Sequence, residues 1–475
     1  MTGQITISVW MFVVLVAVAV IAVLDRVLIP SSRWFLRRRI NRVIEEIGTR
    51  LDIEIRPFQL TKRQVLVDRL VYDPIVIESV RSYAREQDMP LEVVQNKVAV
   101  YAREIVPSFN AYFYFRIGYW IARRIARMLY RVRVGLLQDE QYRSIDPAST
   151  VVFVMNHRSN MDYVLVAFLA AERTTLSYAV GEWAKIWPLH MLFRFMGAFF
   201  VRRNSGNPLY RRILERYIHM ATQEGVCQAV FLEGGLSRDG RLRNPKFGLM
   251  DYMLRRFDPQ RDRDIVFIPV GINYDRTIED RSLLRSLDPA TQRRSLWFVF
   301  KTTAGFILRN LVLMILSRWR RYGYACVNFG PPLSIKTYCR ETETNFGKLK
   351  RKDRFPKIQA LCQRLMGTIA DVIPVLPVSL VSAVFMDAPA TAIDILQVEQ
   401  RATLLIDELH KNNAPILETP HSTRMAAIAD AIDQMQRRGM IAQSDVSFMA
   451  VTREIPLLRY YANAIVHWLP GRKWE

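Results

Sequence analysis

The stretch Val151-Val152-Phe153-Val154-Met155-Asn156-His157-Arg158-Ser159-Asn160-Met161-Asp162-Tyr163 carries a structural and a chemical signal together. Its first five residues are apolar and mostly β-branched, which suits a strand buried on both faces. Residues 161–171 then read as a helix. A short polar turn lies between them, with a histidine and, five positions on, an aspartate. Such turns, at the carboxyl ends of strands, are where α/β sheets present reactive groups.

Working outward, the same alternation continues. Residues 198–201, 228–232 and 265–274 are short apolar runs that suit strands, and 327–330 reads as a further one stopped by Pro331 and Pro332. Residues 208–223 read as a helix with proline in its first turn and Gly225 just beyond its end. Residues 247–257 suit another helix. Short buried strands alternating with helices predict an α/β domain. The flanking regions, about 31–140 and 340 to the end, read as mostly helical.

The polar turn contains the parts of a base. A histidine with an unperturbed pKa of about 6.5 is largely neutral near pH 7 and accepts a proton. A carboxylate on the following turn holds the other ring nitrogen and stabilises the imidazolium as it forms. The chain's own serine is not required, because a substrate hydroxyl serves as nucleophile. A histidine and an aspartate at this spacing are by themselves commonplace. Two later loops add weight. Gly197-Ala198-Phe199-Phe200-Val201-Arg202-Arg203 ends a strand in paired arginines, whose donor forks suit phosphate. Phe231-Leu232-Glu233-Gly234-Gly235-Leu236-Ser237-Arg238-Asp239-Gly240-Arg241 leaves another strand into a glycine-rich loop. Either loop alone also reads as a surface turn with solvated charges. Ile268-Pro269-Val270-Gly271-Ile272 reads simply as core.

In this order the four blocks resemble the signature of the glycerolipid acyltransferases, and are most similar to those of bacterial membrane-bound glycerol-3-phosphate acyltransferases. The resemblance is strong over residues 145–335. Residues 324–332 are similar too, and 457–467 more loosely. The resemblance implies an α/β acyltransferase domain with a central mixed sheet flanked by helices. It implies His157 as general base, oriented by Asp162. It implies that Arg202, Glu233, Gly234, Ser237 and Arg238 shape the acceptor site, with Arg203 and Arg241 assisting and Pro269 in support. The acyl donor is then a thioester of coenzyme A or acyl carrier protein, with no cofactor or metal, and the acceptor is glycerol 3-phosphate. Backbone donors in the first turn are the expected oxyanion site. One position departs from the family pattern: Leu236 stands where an arginine is usual. Loss of a phosphate contact costs about 1.5–3 kcal/mol unless Arg203, Arg241 or Arg243 replaces it. Dihydroxyacetone phosphate and lysophosphatidate or another lysophospholipid are therefore alternative acceptors.

Composition sets the surroundings. The chain has 475 residues, a net charge of +22 and 50% hydrophobic residues, which excludes a disordered chain. Residues 5–24 contain no charge, with Trp10 near one end and Arg26, Arg33, Arg37, Arg38, Arg39 and Arg42 beyond the other. This predicts a single N-terminal transmembrane helix, not a cleaved signal, with the catalytic domain on the cytoplasmic face. Residues 112–134 carry six arginines and no acidic residue. They read as a helix with an arginine face opposite an aromatic one, lying on an anionic membrane or simply solvated. Residues 297–319 are apolar but interrupted by Lys301 and Arg309, so they read as monotopic or buried. Cys227, Cys326, Cys339 and Cys362 lack metal spacing and read as free thiols.

The expected organisation is an anchor at 1–30, a helical, partly interfacial region at 31–140, the acyltransferase domain at 141–335 and a helical C-terminal region at 336–475. Nucleic acid is not an expected partner, because no binding module accompanies the charge. A serine hydrolase built on Ser237 lacks the closing glycine of its turn. A basic scaffold on anionic lipid accounts for the charge but not for the ordered blocks.

Overall fold

The computed structural model describes residues 56–135, 139–170, 176–181, 189–202, 205–287, 321–417 and 423–474. The expected anchor at 5–24, the arginines that follow it, the apolar stretch 297–319 and Arg203 lie outside the described residues. No helix among the described residues is long and apolar enough to cross a membrane.

The strands of the main sheet, in chain order, are β1 (Arg131–Gly135), β2 (Thr150–Met155), β3 (Ser177–Val180), β4 (Phe199–Phe200), β5 (Gln228–Phe231), β6 (Ile265–Tyr274), β7 (Tyr324–Phe329) and β8 (Leu333–Ser334). Their order across the sheet is β1-β7-β6-β2-β5-β3-β4, with β8 pairing with β6. Strands β6, β2, β5, β3 and β4 run parallel, whereas β7 and β8 are antiparallel to β6. The sheet is therefore mixed, and β2, which feeds the histidine turn, lies near its centre.

Helices cover both faces. In chain order they are α1 (Arg63–Val71), α2 (Pro74–Glu86), α3 (Leu91–Ile105), α4 (Tyr119–Leu129), α5 (Met161–Ala170), α6 (Leu189–Phe195), α7 (Pro208–Gln223), α8 (Gly248–Leu254), α9 (Asp280–Arg285), α10 (Ile335–Glu341) and α11 (Arg351–Asp371). Strand alternation decides which face each residue serves. Val152 and Val154 pack with α1–α3, α7, α8 and α11, whereas Met155 packs with α4 and α5. Each such apolar side chain fully buried contributes roughly 1.5–3 kcal/mol. Helix α7 follows its sequence closely. Asn207 caps Tyr210 N–H at 3.2 Å, Pro208 opens the first turn, and Gly225 takes a positive φ of 75° beyond the end. Asp73 caps α2 and also receives Arg216 of α7, which fastens the N-terminal helices to the sheet layer.

The C-terminal region packs around a second apolar cluster built by α12 (Pro377–Asp387), α13 (Ile395–Lys411), α14 (Arg424–Arg437) and α15 (Ile455–Ala462). It also contains a small sheet, which the helical reading missed: β9 (Ile393–Asp394), β10 (Ile441–Ser444) and β11 (Ser447–Ala450). Gly271 in β6 allows this region close to the sheet, because a Cβ there would lie 2.5 Å from Val372 O.

The arginine-rich stretch 112–134 is also corrected. It is not one helix: a π-helical turn spans Phe113–Gly118, α4 ends at Leu129, and Arg131–Gly135 forms edge strand β1. Arg131 and Arg133 are exposed along that edge, where charge blocks further pairing. Trp120 does not oppose the arginines. It is 62% exposed and lines one groove with Arg123, Arg124, Arg127 and Arg321. The four cysteines are buried and free.

Candidate active site

Strand β2 ends at Met155 and α5 begins at Met161, so residues 156–160 form a tight connection between a central strand and a covering helix. Asp162 lies in the first turn of α5 and reaches back over that connection. Its Oδ2 accepts from Arg158 N at 2.7 Å and from Ser159 N at 3.1 Å, and lies 2.8 Å from His157 Nδ1. Its Oδ1 accepts from the Tyr274 hydroxyl at 2.6 Å. A carboxylate with four donors is fixed in place. It also fixes the histidine, because Nδ1 must carry hydrogen to donate to it. Nε2 is then the basic nitrogen, and it is buried without a hydrogen-bond partner among the described residues. The ring stacks on Phe231 at 3.9 Å and meets the Tyr163 ring edge-on at 5.4 Å.

The glycine-rich loop after β5 is bolted to this turn. Glu233 Oε1 accepts from His157 N at 2.9 Å, and Oε2 accepts from Arg243 N at 3.1 Å. Ser237 N donates to His157 O at 2.9 Å. Burial pushes the Glu233 carboxyl up to about 7, against the opposing pull of those N–H groups and of Arg158 and Arg243. Gly234 adopts a positive φ of 66° at the exposed crest of the loop.

The expected oxyanion site in the first turn is overturned. Every backbone N–H from His157 to Asp162 already has an acceptor. His157 serves Glu233, Arg158 and Ser159 serve Asp162, Asn160 serves Glu279, Met161 serves Ser159 Oγ, and Asp162 serves Ser159 O. The serine-hydrolase alternative fails as well. The Ser237 hydroxyl donates to Arg241 O at 2.7 Å within its own loop and makes no bond to His157.

The arginines are distributed unevenly. Arg202 follows β4, three strand spacings or about 14 Å across the sheet from β2. Its guanidinium makes a two-pronged pair with Glu104 and lies over the Tyr101 and Tyr210 rings. It does not join the His157 cluster. Arg238 and Arg241 sit on the loop next to the histidine turn, are exposed, and form no ion pair among the described residues. Leu236, where the family pattern has arginine, packs against the C-terminal apolar cluster. Pro269 lies inside β6 opposite Val154, and its carbonyl accepts from Gly330 N at 2.8 Å. No group of acidic, histidine or cysteine side chains among the described residues is arranged to hold a metal.

Tyr274 and Glu279 did not emerge from sequence reasoning. For Glu279 the available signal was a mostly polar run, 275–280, directly after a fully buried strand.

Comparison with known proteins decides the family. Residues 137–273 match the family model "Acyltransferase", and 310–470 match "Glycerol-3-phosphate acyltransferase C-terminal region". The chain belongs to the glycerolipid acyltransferase family. Among its glycerolipid acyltransferase relatives, the glycerol-3-phosphate acyltransferase of Pseudomonas entomophila is 27% identical over 87% of this chain and 50% of its own length. Those of Aeromonas hydrophila and Xylella fastidiosa are each 26% identical, over 91% and 94% of this chain and 53% and 51% of theirs. The chain thus spans about half the length of the curated relatives it matches. A solved 1-acyl-sn-glycerophosphate (LPA) acyltransferase from Thermotoga maritima is 14% identical over 64% of this chain and 98% of its own. Its TM-score of 0.30 is too low to carry weight.

Proposed function

We propose that this chain moves a long-chain acyl group from a thioester of coenzyme A or acyl carrier protein to a hydroxyl of glycerol 3-phosphate, in phospholipid synthesis. His157 is the general base and Asp162 its orienting partner. The single observation that carries the reading is the state of the histidine ring: Nδ1 is locked to Asp162, while Nε2 is buried and has no partner among the described residues. An acceptor hydroxyl is the group that such a nitrogen lacks.

The acceptor hydroxyl gives its proton to Nε2 as its oxygen attacks the thioester carbonyl. The tetrahedral intermediate collapses with cleavage of the carbon–sulfur bond, and the imidazolium returns the proton to the departing thiolate. Oxyanion donors come from outside the first turn, whose N–H groups are all engaged. Glu233 and Gly234 hold the glycine-rich loop against the base. Arg238 and Arg241 are the available cations for the acceptor's phosphate. Arg202 stays paired with Glu104 outside this cluster, and Ser237 keeps the loop closed.

The apolar segment 5–24 anchors the chain in the membrane, with the site on the cytoplasmic face, and the exposed arginines of 116–133 rest on anionic lipid. One labelled long-chain acyl-CoA, offered with glycerol 3-phosphate, dihydroxyacetone phosphate or lysophosphatidate, tests the acceptor. Label entering only lysophosphatidate rejects glycerol 3-phosphate.

A further inference from the structure

Beyond Tyr274 the chain leaves the sheet as a polar strap, Asp275-Arg276-Thr277-Ile278-Glu279-Asp280, that crosses from the histidine turn to the C-terminal region. One side of the strap faces the turn. Glu279 Oε2 accepts from the Ser159 hydroxyl at 2.7 Å, and Oε1 accepts from Asn160 N at 3.3 Å. That same Ser159 hydroxyl accepts from Met161 N at 3.1 Å, where α5 begins. Asp162 holds the turn at Arg158 and Ser159, and Glu279 holds it at Ser159 and Asn160. Together the two carboxylates clamp the loop that sets the histidine ring.

The other side of the strap is gripped by the C-terminal region. Tyr461 and Arg438 both donate to Asp280 Oδ2, and Arg438 also donates to the Tyr461 hydroxyl at 3.0 Å. Thr277 N donates to that hydroxyl at 3.1 Å, and Thr277 Oγ1 donates to the Tyr460 hydroxyl at 3.4 Å. A second tie runs directly to the turn. The Arg158 guanidinium donates to Gly240 O and lies 5.0 Å from the Tyr460 ring centroid. Gly240 permits this, since a Cβ there would clash with Tyr460 O.

We infer that Glu279 is a positioning residue for the His157 base, held in place by the C-terminal region through Asp280, Arg438 and Tyr461. The inference rests on the reading of His157 as base. A carboxylate dedicated to two donors on a catalytic turn, itself anchored from behind, fixes the ring before substrate arrives. Reactions held to sub-ångström geometry lose about a hundredfold for a 1 Å displacement. The titratable and charged groups around the turn are Asp162 and Arg158 on the turn itself, Glu233 and Arg243 from the glycine-rich loop, Tyr274 from β6, Glu279 from the strap and Tyr460 from α15. Replacing Glu279 with glutamine keeps the shape and removes one negative charge from this set. Less negative charge favours imidazolium less, so the acid limb of the kcat/KM profile moves to lower pH.

The test compares the full chain with Glu279→Gln, Ser159→Ala, the double variant, Tyr461→Phe and His157→Ala. The readouts are kcat, KM for the acceptor and the pH profile. The expected result for Glu279→Gln is a kcat lower by roughly ten- to a hundredfold with KM within about twofold. The double variant is no worse than the worse single one, because both remove the same bond. Tyr461→Phe, which loses only one hydroxyl, lowers kcat in the same direction and keeps the test open if Glu279→Gln does not fold. A wild-type kcat and profile in folded Glu279→Gln, beside inactive His157→Ala, overturns the inference alone. Full activity in His157→Ala overturns the base reading and the inference with it.

Discussion

Tyr274 donates to the Asp162 oxygen that faces away from His157, at 2.6 Å, so one phenol at the end of β6 fixes the carboxylate that fixes the base. Removing the hydroxyl leaves a buried acceptor without its donor. Tyr274→Phe is expected to cost about 1–3 kcal/mol in a urea unfolding experiment. It should also lower kcat by roughly tenfold, with little change in KM, because the ring is less well oriented.

Leu236 gives a prediction of opposite sense to a family-guided repair. Its side chain packs on the C-terminal apolar cluster, and Arg243 donates to its carbonyl at 3.2 Å. Leu236→Arg places a charge on an apolar contact. We expect a loss of about 1–3 kcal/mol of stability and no gain in acceptor affinity. Thermal unfolding and KM for glycerol 3-phosphate check the two parts.

Arg238 and Arg241 are exposed and form no ion pair among the described residues, so their removal should leave stability within about 0.5 kcal/mol. Each Arg→Ala change is expected to raise KM for glycerol 3-phosphate by roughly tenfold, through loss of a charged hydrogen bond.

Glu233 gives a pH dependence of stability. Burial raises its carboxyl from the ordinary value near 4.5 to about 7. Between those values the folded protein binds a proton that the unfolded chain has lost. Stability from this group is therefore full below about pH 4.5 and falls as pH rises to about 7, by on the order of 3 kcal/mol. Burial also holds the His219 imidazole down at about 4, which gives the opposite slope, so denaturant titrations from pH 5 to 8 should show the wild type losing stability relative to Glu233→Gln as pH rises. An equal slope in both contradicts the assignment.

The parts of the site visible in sequence were those whose partners are near neighbours or whose strands are buried. His157 and Asp162 lie on one turn, and apolar runs such as 265–274 mark their own strand. Contacts made by folding alone were not visible. Tyr274 meets Asp162 across 112 positions, and Glu104 meets Arg202 across 98. The Glu104 pair turned an expected phosphate ligand into part of a structural ion pair. Edge strand β1 was hidden because the arginine spacing of α4 continues into it, and two-residue alternation over five residues is too short to stand out. The engaged N–H groups of the first turn were hidden for the same reason, since two of their acceptors, Glu233 and Glu279, lie on distant loops.

The central claim is that His157 Nε2 takes the proton of the acceptor hydroxyl while Asp162 holds Nδ1. Its most direct test is the transfer of a labelled acyl group from acyl-CoA to glycerol 3-phosphate by purified wild-type, His157→Ala and Asp162→Asn proteins, each shown to be folded. We expect transfer by the wild type and a fall of roughly a thousandfold or more in both variants, the second through loss of the correct tautomer. Near wild-type transfer by folded His157→Ala protein would contradict the account.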